Sequence, residues 1–150
     1  LPTWVLPVLL SFCCHVFAWQ QKKPCPALET NVADQKFKPG QVWAYATRPS
    51  ETSSTLTILQ IDRSEKLGTI VHIRIDGIKL NAPNGNVLTS IGHMPFTRDA
   101  LLQSTKNLLR TDNTVPTLEG YSQWKAACGG VYTISVRDVI AVDEKTLNVP

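Results

Sequence analysis

The chain has 150 residues, the size of one domain built around a single core. Its 15 Lys and Arg against 12 Asp and Glu leave a net charge of +3, and only 18% of the residues are charged. Those figures exclude a strongly basic polyelectrolyte binder and an intrinsically disordered chain.

The apolar content is uneven. Residues 1–18 hold 13 apolar residues and no Lys, Arg, Asp or Glu. The run from Trp4 to Trp19 is 16 residues long and is interrupted by Pro7, short of the roughly 20 that a spanning helix needs. It has the length of a signal-peptide core, and Val16-Phe17-Ala18 supplies a small-residue pattern that places cleavage after Ala18. The expectation is a signal peptide over residues 1–18, with no stable membrane span once it is removed. A lipid-anchored form through Cys13, opposed by the bulky Phe12, and an uncleaved N-terminal anchor are the alternatives.

Of the four cysteines, Cys13 and Cys14 fall in this leader, which leaves Cys25 and Cys128 as an even pair in a chain bound for an oxidising compartment. A disulfide between them is expected, with two unpaired buried thiols as the alternative. No C-x-x-C supports a redox couple or a zinc ribbon.

Residues 19–40 read as an extended N-terminal arm, with Pro24 and Pro26 around Cys25 and a turn at Lys38-Pro39-Gly40. A single α+β domain is expected over residues 41–150. Gln41–Ala46 reads as a first strand with Trp43 and Tyr45 on one face, and Arg48–Ser54 as a polar loop. Thr55–Asp62 alternates Thr55, Thr57, Leu59 and Ile61 against Leu56, Ile58 and Gln60. Thr69–Ile75 is the clearest half-buried strand, with Val71, Ile73 and Ile75 opposite Ile70, His72 and Arg74. Asp76-Gly77 is either a tight hairpin turn or a bulge within one long strand. Val87–Gly92 closes the meander.

Thr97-Arg98-Asp99 has the chemistry of a helix start, and Ala100, Leu101, Leu102, Thr105, Leu108 and Leu109 carry helical spacing through Arg110. A second helix from Pro116 carries Leu118, Tyr121, Trp124 and Cys128, stopped by Gly129-Gly130. Val131–Ile134 reads as a short strand. Ser135–Asp138 fits a capping box opening a last helix with Val139, Ile140 and Leu147 inward. The fold class is therefore α+β: an antiparallel β-meander of about four strands, then two helices, a short strand and a C-terminal helix.

Catalytic constellations are sparse. His72 shares a strand face with Arg74, which indicates a rim position, and Asp62 flanks a turn, where solvated surface is the default. His93 stands before Met94-Pro95-Phe96, where a strand gives way to a helix, a place where binding groups often sit. Arg48, beside Glu51 and the aromatic strand, is either an anion-binding rim residue or half of a surface ion pair. No metal-ligand spacing, nucleophile elbow or phosphate loop occurs, and no cofactor is expected. The basic residues are dispersed, so nucleic acid is not an expected partner.

The segments Gly40–Pro49, Ser54–Leu59, Leu67–His72 and His93–Phe96 together resemble a family of short bacterial proteins with no assigned activity, over roughly residues 38–147. That resemblance implies a bacterial domain and transfers no mechanism. The leading expectation is an exported, periplasmic or secreted, non-catalytic binding module of the cell envelope. Its candidate ligand-binding residues are His93, Arg48, Trp43 and Tyr45, and its partner is a protein or a small molecule. One alternative is a small hydrolase-like enzyme using His93 with Arg48 and an acidic partner such as Asp99. Another is a secreted inhibitor or immunity-type protein acting through an exposed aromatic patch around Trp43, Tyr45 or Phe96.

Overall fold

The computed structural model of the protein describes residues 23–148. The expected leader, residues 1–18, lies outside them. The strands are β1 (Leu28–Glu29), β2 (Gln41–Tyr45), β3 (Thr55–Ser64), β4 (Gly68–Asn81), β5 (Val87–Thr97) and β6 (Thr105–Thr111). The helices are α1 (Arg98–Ser104), α2 (Tyr121–Ala126) and α3 (Val136–Leu147). The protein is α+β, with one antiparallel sheet in the order β5-β4-β3-β2-β6 and β1 paired to the far end of β3. Among the described residues no helix is long and apolar enough to cross a membrane.

One face of the sheet carries the main core. Trp43 and Tyr45 of β2, Leu56, Ile58 and Ile61 of β3, Val71, Ile73 and Ile75 of β4, and Met94 and Phe96 of β5 pack there under Leu101 of α1 and Val139 and Ile140 of α3. The simple alternation expected for β3 places Ile61 opposite Leu56 and Ile58. A register shift between Ile58 and Gln60 inserts Leu59 as an extra residue, so that all three reach the same core. The same shift turns Gln60 and Asp62 to the other face. In β4 the strand runs through Asp76-Gly77 as a bulge rather than a hairpin. Gly77 sits at φ +79°, a conformation costly for any residue with a Cβ, and a Cβ there would also crowd the Ser54 backbone.

Two of the three predicted helix starts, those at Thr97 and Ser135, carry a side-chain cap. The Thr97 hydroxyl accepts from the Ala100 amide at 3.3 Å, and the Ser135 hydroxyl accepts from the Asp138 amide at 3.2 Å. The first helix is far shorter than its spacing implies. It ends at Ser104, and Thr105–Thr111 instead pairs with β2, leaving Leu108 and Leu109 exposed. The second helix is confined to residues 121–126, and the predicted strand at 131–134 is a single bridge between Tyr132 and Phe96. Leu147, expected inward, is exposed at the frayed end of α3.

The arm is packed rather than free. Phe37 is fully buried in the core, edge-on to Trp43, and the Val32 amide donates to the Ile61 carbonyl at 2.8 Å. The Asp34 carboxylate accepts from the Lys36 and Phe37 amides and pairs with Arg98 of α1. Cys25 and Cys128 form the expected disulfide, with Cα atoms 5.2 Å apart. It ties the start of the arm to the segment just after α2.

Candidate functional site

The second face of the sheet carries a polar chain made by three neighbouring strands, with Asp62 on β3, His72 on β4 and His93 on β5. Asp62 and His72 are fully buried. One carboxylate oxygen of Asp62 accepts from the Asn31 amide at 3.1 Å and from Gln60 Nε2 at 2.8 Å. The other accepts from the Tyr121 hydroxyl at 2.6 Å and lies 3.1 Å from His72 Nε2. His72 Nδ1 lies 2.8 Å from His93 Nε2. Because Asp62 is ionised, His72 Nε2 carries a proton toward it. The contact between the two rings then holds one further proton, carried by His72 when that ring is cationic and by His93 when it is neutral.

Burial pushes the Asp62 carboxyl up, but hydrogen bonds from His72, Tyr121, Gln60 and Asn31 outweigh it and bring the group down to about 2. Burial first, and then the neighbouring His72 ring, lower His93 to about 4, against an opposing pull from Asp62. Burial and its bond to Asp62 raise Tyr121, which keeps its hydroxyl a donor. An unfolded histidine takes a proton near 6.5, so between 6.5 and about 4 the unfolded chain binds more protons than the folded one. Stability is expected to be greatest above pH 6.5 and to fall as pH drops from 6.5 toward 4. A second loss follows from about 3.8 toward 2 as Asp62 takes its proton. Urea midpoints measured across this range check the first limb. It should flatten in His93→Gln, and a wild-type midpoint constant from pH 6.5 to 4 contradicts the assignment.

The roof over this chain is the short helix α2. None of its residues is fully buried, and a helix of six residues has little stability of its own. It is held by Tyr121 bonded to Asp62, by Trp124 set edge-on to His72 with centroids 4.9 Å apart, and by the disulfide at its end. The left-handed residue that ends the helix is Cys128 at φ +51°, not the expected glycine pair, and the Gly129 amide closes the turn on the Trp124 carbonyl at 2.8 Å. Trp124 stacks on Tyr121, and its Nε1–H donates to the Gly130 carbonyl at 2.8 Å. A Cβ on Gly129 would stand 2.1 Å from Trp124 Cδ1. Gly129→Ala is therefore expected to expel the indole from its place against His72. A shifted Trp124 indole signal with a lower thermal midpoint is the readout; an unmoved signal contradicts the packing described.

Between the arm and this roof lies a cleft of about 410 Å³, lined by Pro26, Leu28, Leu67, Trp124, the disulfide and the Gly129-Gly130 backbone, with Ser64, Lys66 and Lys125 also on its walls. Its volume falls in the range of small-molecule sites, and its lining has their pattern of apolar walls with a few polar groups.

The residues singled out in the sequence are scattered. Trp43 and Tyr45 are buried in the core, with Trp43 Nε1 donating to Gln41 Oε1 at 3.1 Å and the Tyr45 hydroxyl 2.7 Å from Ser54 Oγ. Phe96 is fully buried too, so none of the three forms an exposed aromatic patch. Arg48 is not a free rim residue: it makes the expected ion pair with Glu51, but the pair is buried rather than on the surface. Its guanidinium binds buried Glu51, reaches Glu144 of α3 and donates to the Lys79 carbonyl at 3.1 Å, clamping the loop to the helix. It makes no bond to His93, whose carboxylate partner through His72 is Asp62 rather than Asp99. Two sequence readings are corrected outright: His72 is not on a rim and Asp62 is not solvated, because the α2 segment covers that face.

The sequence reading assigns no site role to Asp62, Tyr121 or Trp124, which the structure gathers around His72. The available signal was a carboxylate and a histidine on adjoining strands, together with two aromatics three positions apart on a short helix. As for metals, no group of three His, Cys, Asp or Glu among the described residues is placed to hold an ion. Compared with protein-family models, curated proteins and solved structures, the chain has no match.

Proposed function

We propose that the protein is an exported, non-catalytic binding module of a bacterial cell envelope, and that it holds a small ligand in the cleft between the arm and α2. The cleft of about 410 Å³ beneath Trp124 is the observation that carries this reading. The disulfide in its wall supports export, since such bonds persist in oxidising compartments. Gly130 lines the cleft, its φ lies outside the left-handed region, and a Cβ there meets nothing within 4 Å. Gly130→Leu therefore adds a bulky side chain at the cleft margin without backbone strain. In a fragment screen read by the Trp124 indole resonance, saturable shifts are expected for the wild type and not for Gly130→Leu, with equal thermal midpoints. Fragments that bind both proteins equally well place the site elsewhere and refute the proposal.

A second reading rests on the Asp62–His72–His93 chain, which presents His93 as a neutral imidazole backed by a buried carboxylate. That arrangement suits a general base in a small hydrolase-like enzyme. A panel of activated esters tests it. Hydrolysis falling by about a hundred-fold or more in His93→Gln supports this reading, and equal rates in the two proteins dismiss it.

A further inference from the structure

We infer that the cleft selects a small organic anion with a flat apolar body, its ring against Trp124 and its charged group near Ser64, Lys66 and Lys125. The inference rests on the cleft being the ligand site and goes further by assigning the ligand's chemistry. Trp124 is fixed before any ligand arrives, by the Tyr121 stack, the bond to the Gly130 carbonyl and the close fit of Gly129. Because its N–H is already satisfied, the indole offers the cleft apolar ring surface and no donor, which suits a planar apolar group.

The charged groups on the cleft walls have one sign. Lys66 and Lys125 both line it, no Asp or Glu does, and among the described residues neither lysine lies within 4 Å of a carboxylate. The nearby acids are engaged or turned aside: Glu29 pairs with Arg63 at 3.4 Å, and Glu65 lines the adjoining hollow. Ser64 adds a hydroxyl to the same walls. No side-chain polar atom among the described residues is buried without a partner, so this hydroxyl keeps its access to the cleft. An anion held by the two lysines would accept its proton.

Two dyes test this: anilinonaphthalene sulfonate, and phenylnaphthylamine, which has the same rings without the sulfonate. Both are titrated into the full protein with the Trp124 indole resonance as the readout. The sulfonate is expected to bind about ten-fold or more tightly, as charge-assisted contacts would give. That preference should vanish in the double variant Lys66→Gln, Lys125→Gln, while the neutral dye binds as before. Both lysines are exposed, so the double variant should fold normally. Equal affinities, or a preference that survives in the double variant, overturn the anion assignment while leaving the cleft as a site. If neither dye moves the Trp124 signal, the cleft itself is not the site, and both readings fall.

Discussion

Replacing Cys25 and Cys128 together by serine is expected to lower the unfolding free energy by about 4–5 kcal/mol. The bond closes a loop across 103 positions, so cutting it returns a large conformational freedom to the unfolded chain. Against a total stability of about 5–15 kcal/mol for a domain, this is a large share. The loss should also be local. Helix α2 buries no residue completely, and the disulfide is one of its three attachments to the rest of the molecule. Amides of Trp124 and Gly129, which donate within this segment, should lose exchange protection well before those of the β3–β4 ladder. Urea unfolding with native-state hydrogen exchange reads both effects. A stability change below about 1 kcal/mol, or uniform loss of protection, contradicts this account.

Asp62→Ala is expected to cost about 3–5 kcal/mol, the range for removing one partner of a buried charged network. Four donors converge on this carboxylate from the arm, β3, β4 and α2, and each loses its acceptor. Asp62→Asn separates shape from charge. The amide oxygen can keep the Asn31 and Gln60 bonds, while the amide nitrogen faces His72 Nε2. That nitrogen must then accept, which moves the ring proton to Nδ1 and makes His93 Nε2 the acceptor. The expected signature is an exchange of the two His72 ring-nitrogen shifts, with a milder loss of about 1–3 kcal/mol. An Asp62→Ala protein as stable as the wild type, or an Asn variant with unchanged ring shifts, would rule the network out as the fastening of α2.

What the sequence disclosed follows the range over which each signal acts. The strand cores around Val42, Ile58 and Ile73, the caps at Thr97 and Ser135, and the pairing of two cysteines are local or arithmetical, and they are found in the structure. Leu101, Leu102, Leu108 and Leu109 fit a helix as well as a helix with a following strand. The outcome was decided by the open edge of β2, which pairs with Thr105–Thr111 and which no window of neighbouring residues contains. His72 departs from its expected rim position for a related reason. Alternation put it correctly on the face away from Val71 and Ile73, but whether that face meets water depends on Tyr121 and Trp124, some fifty positions later. The inserted Leu59 hid Asp62 in the same way, because it changes the phase of β3 so that the carboxylate points beneath α2. The cleft was least legible. It exists only where the arm, the β3–β4 turn and the end of α2 meet, and its polar groups, Ser64, Lys66 and Lys125, carry no motif in the sequence.

The central claim is that the ligand sits in the cleft beside the disulfide. Intermolecular nuclear Overhauser effects from a bound aromatic anion test it most directly. The account predicts contacts from the ligand ring to the Trp124 indole and to the methyl groups of Leu28 and Leu67. Contacts instead to Leu108 and Leu109 on the exposed β6 edge, with none to Trp124, would contradict it.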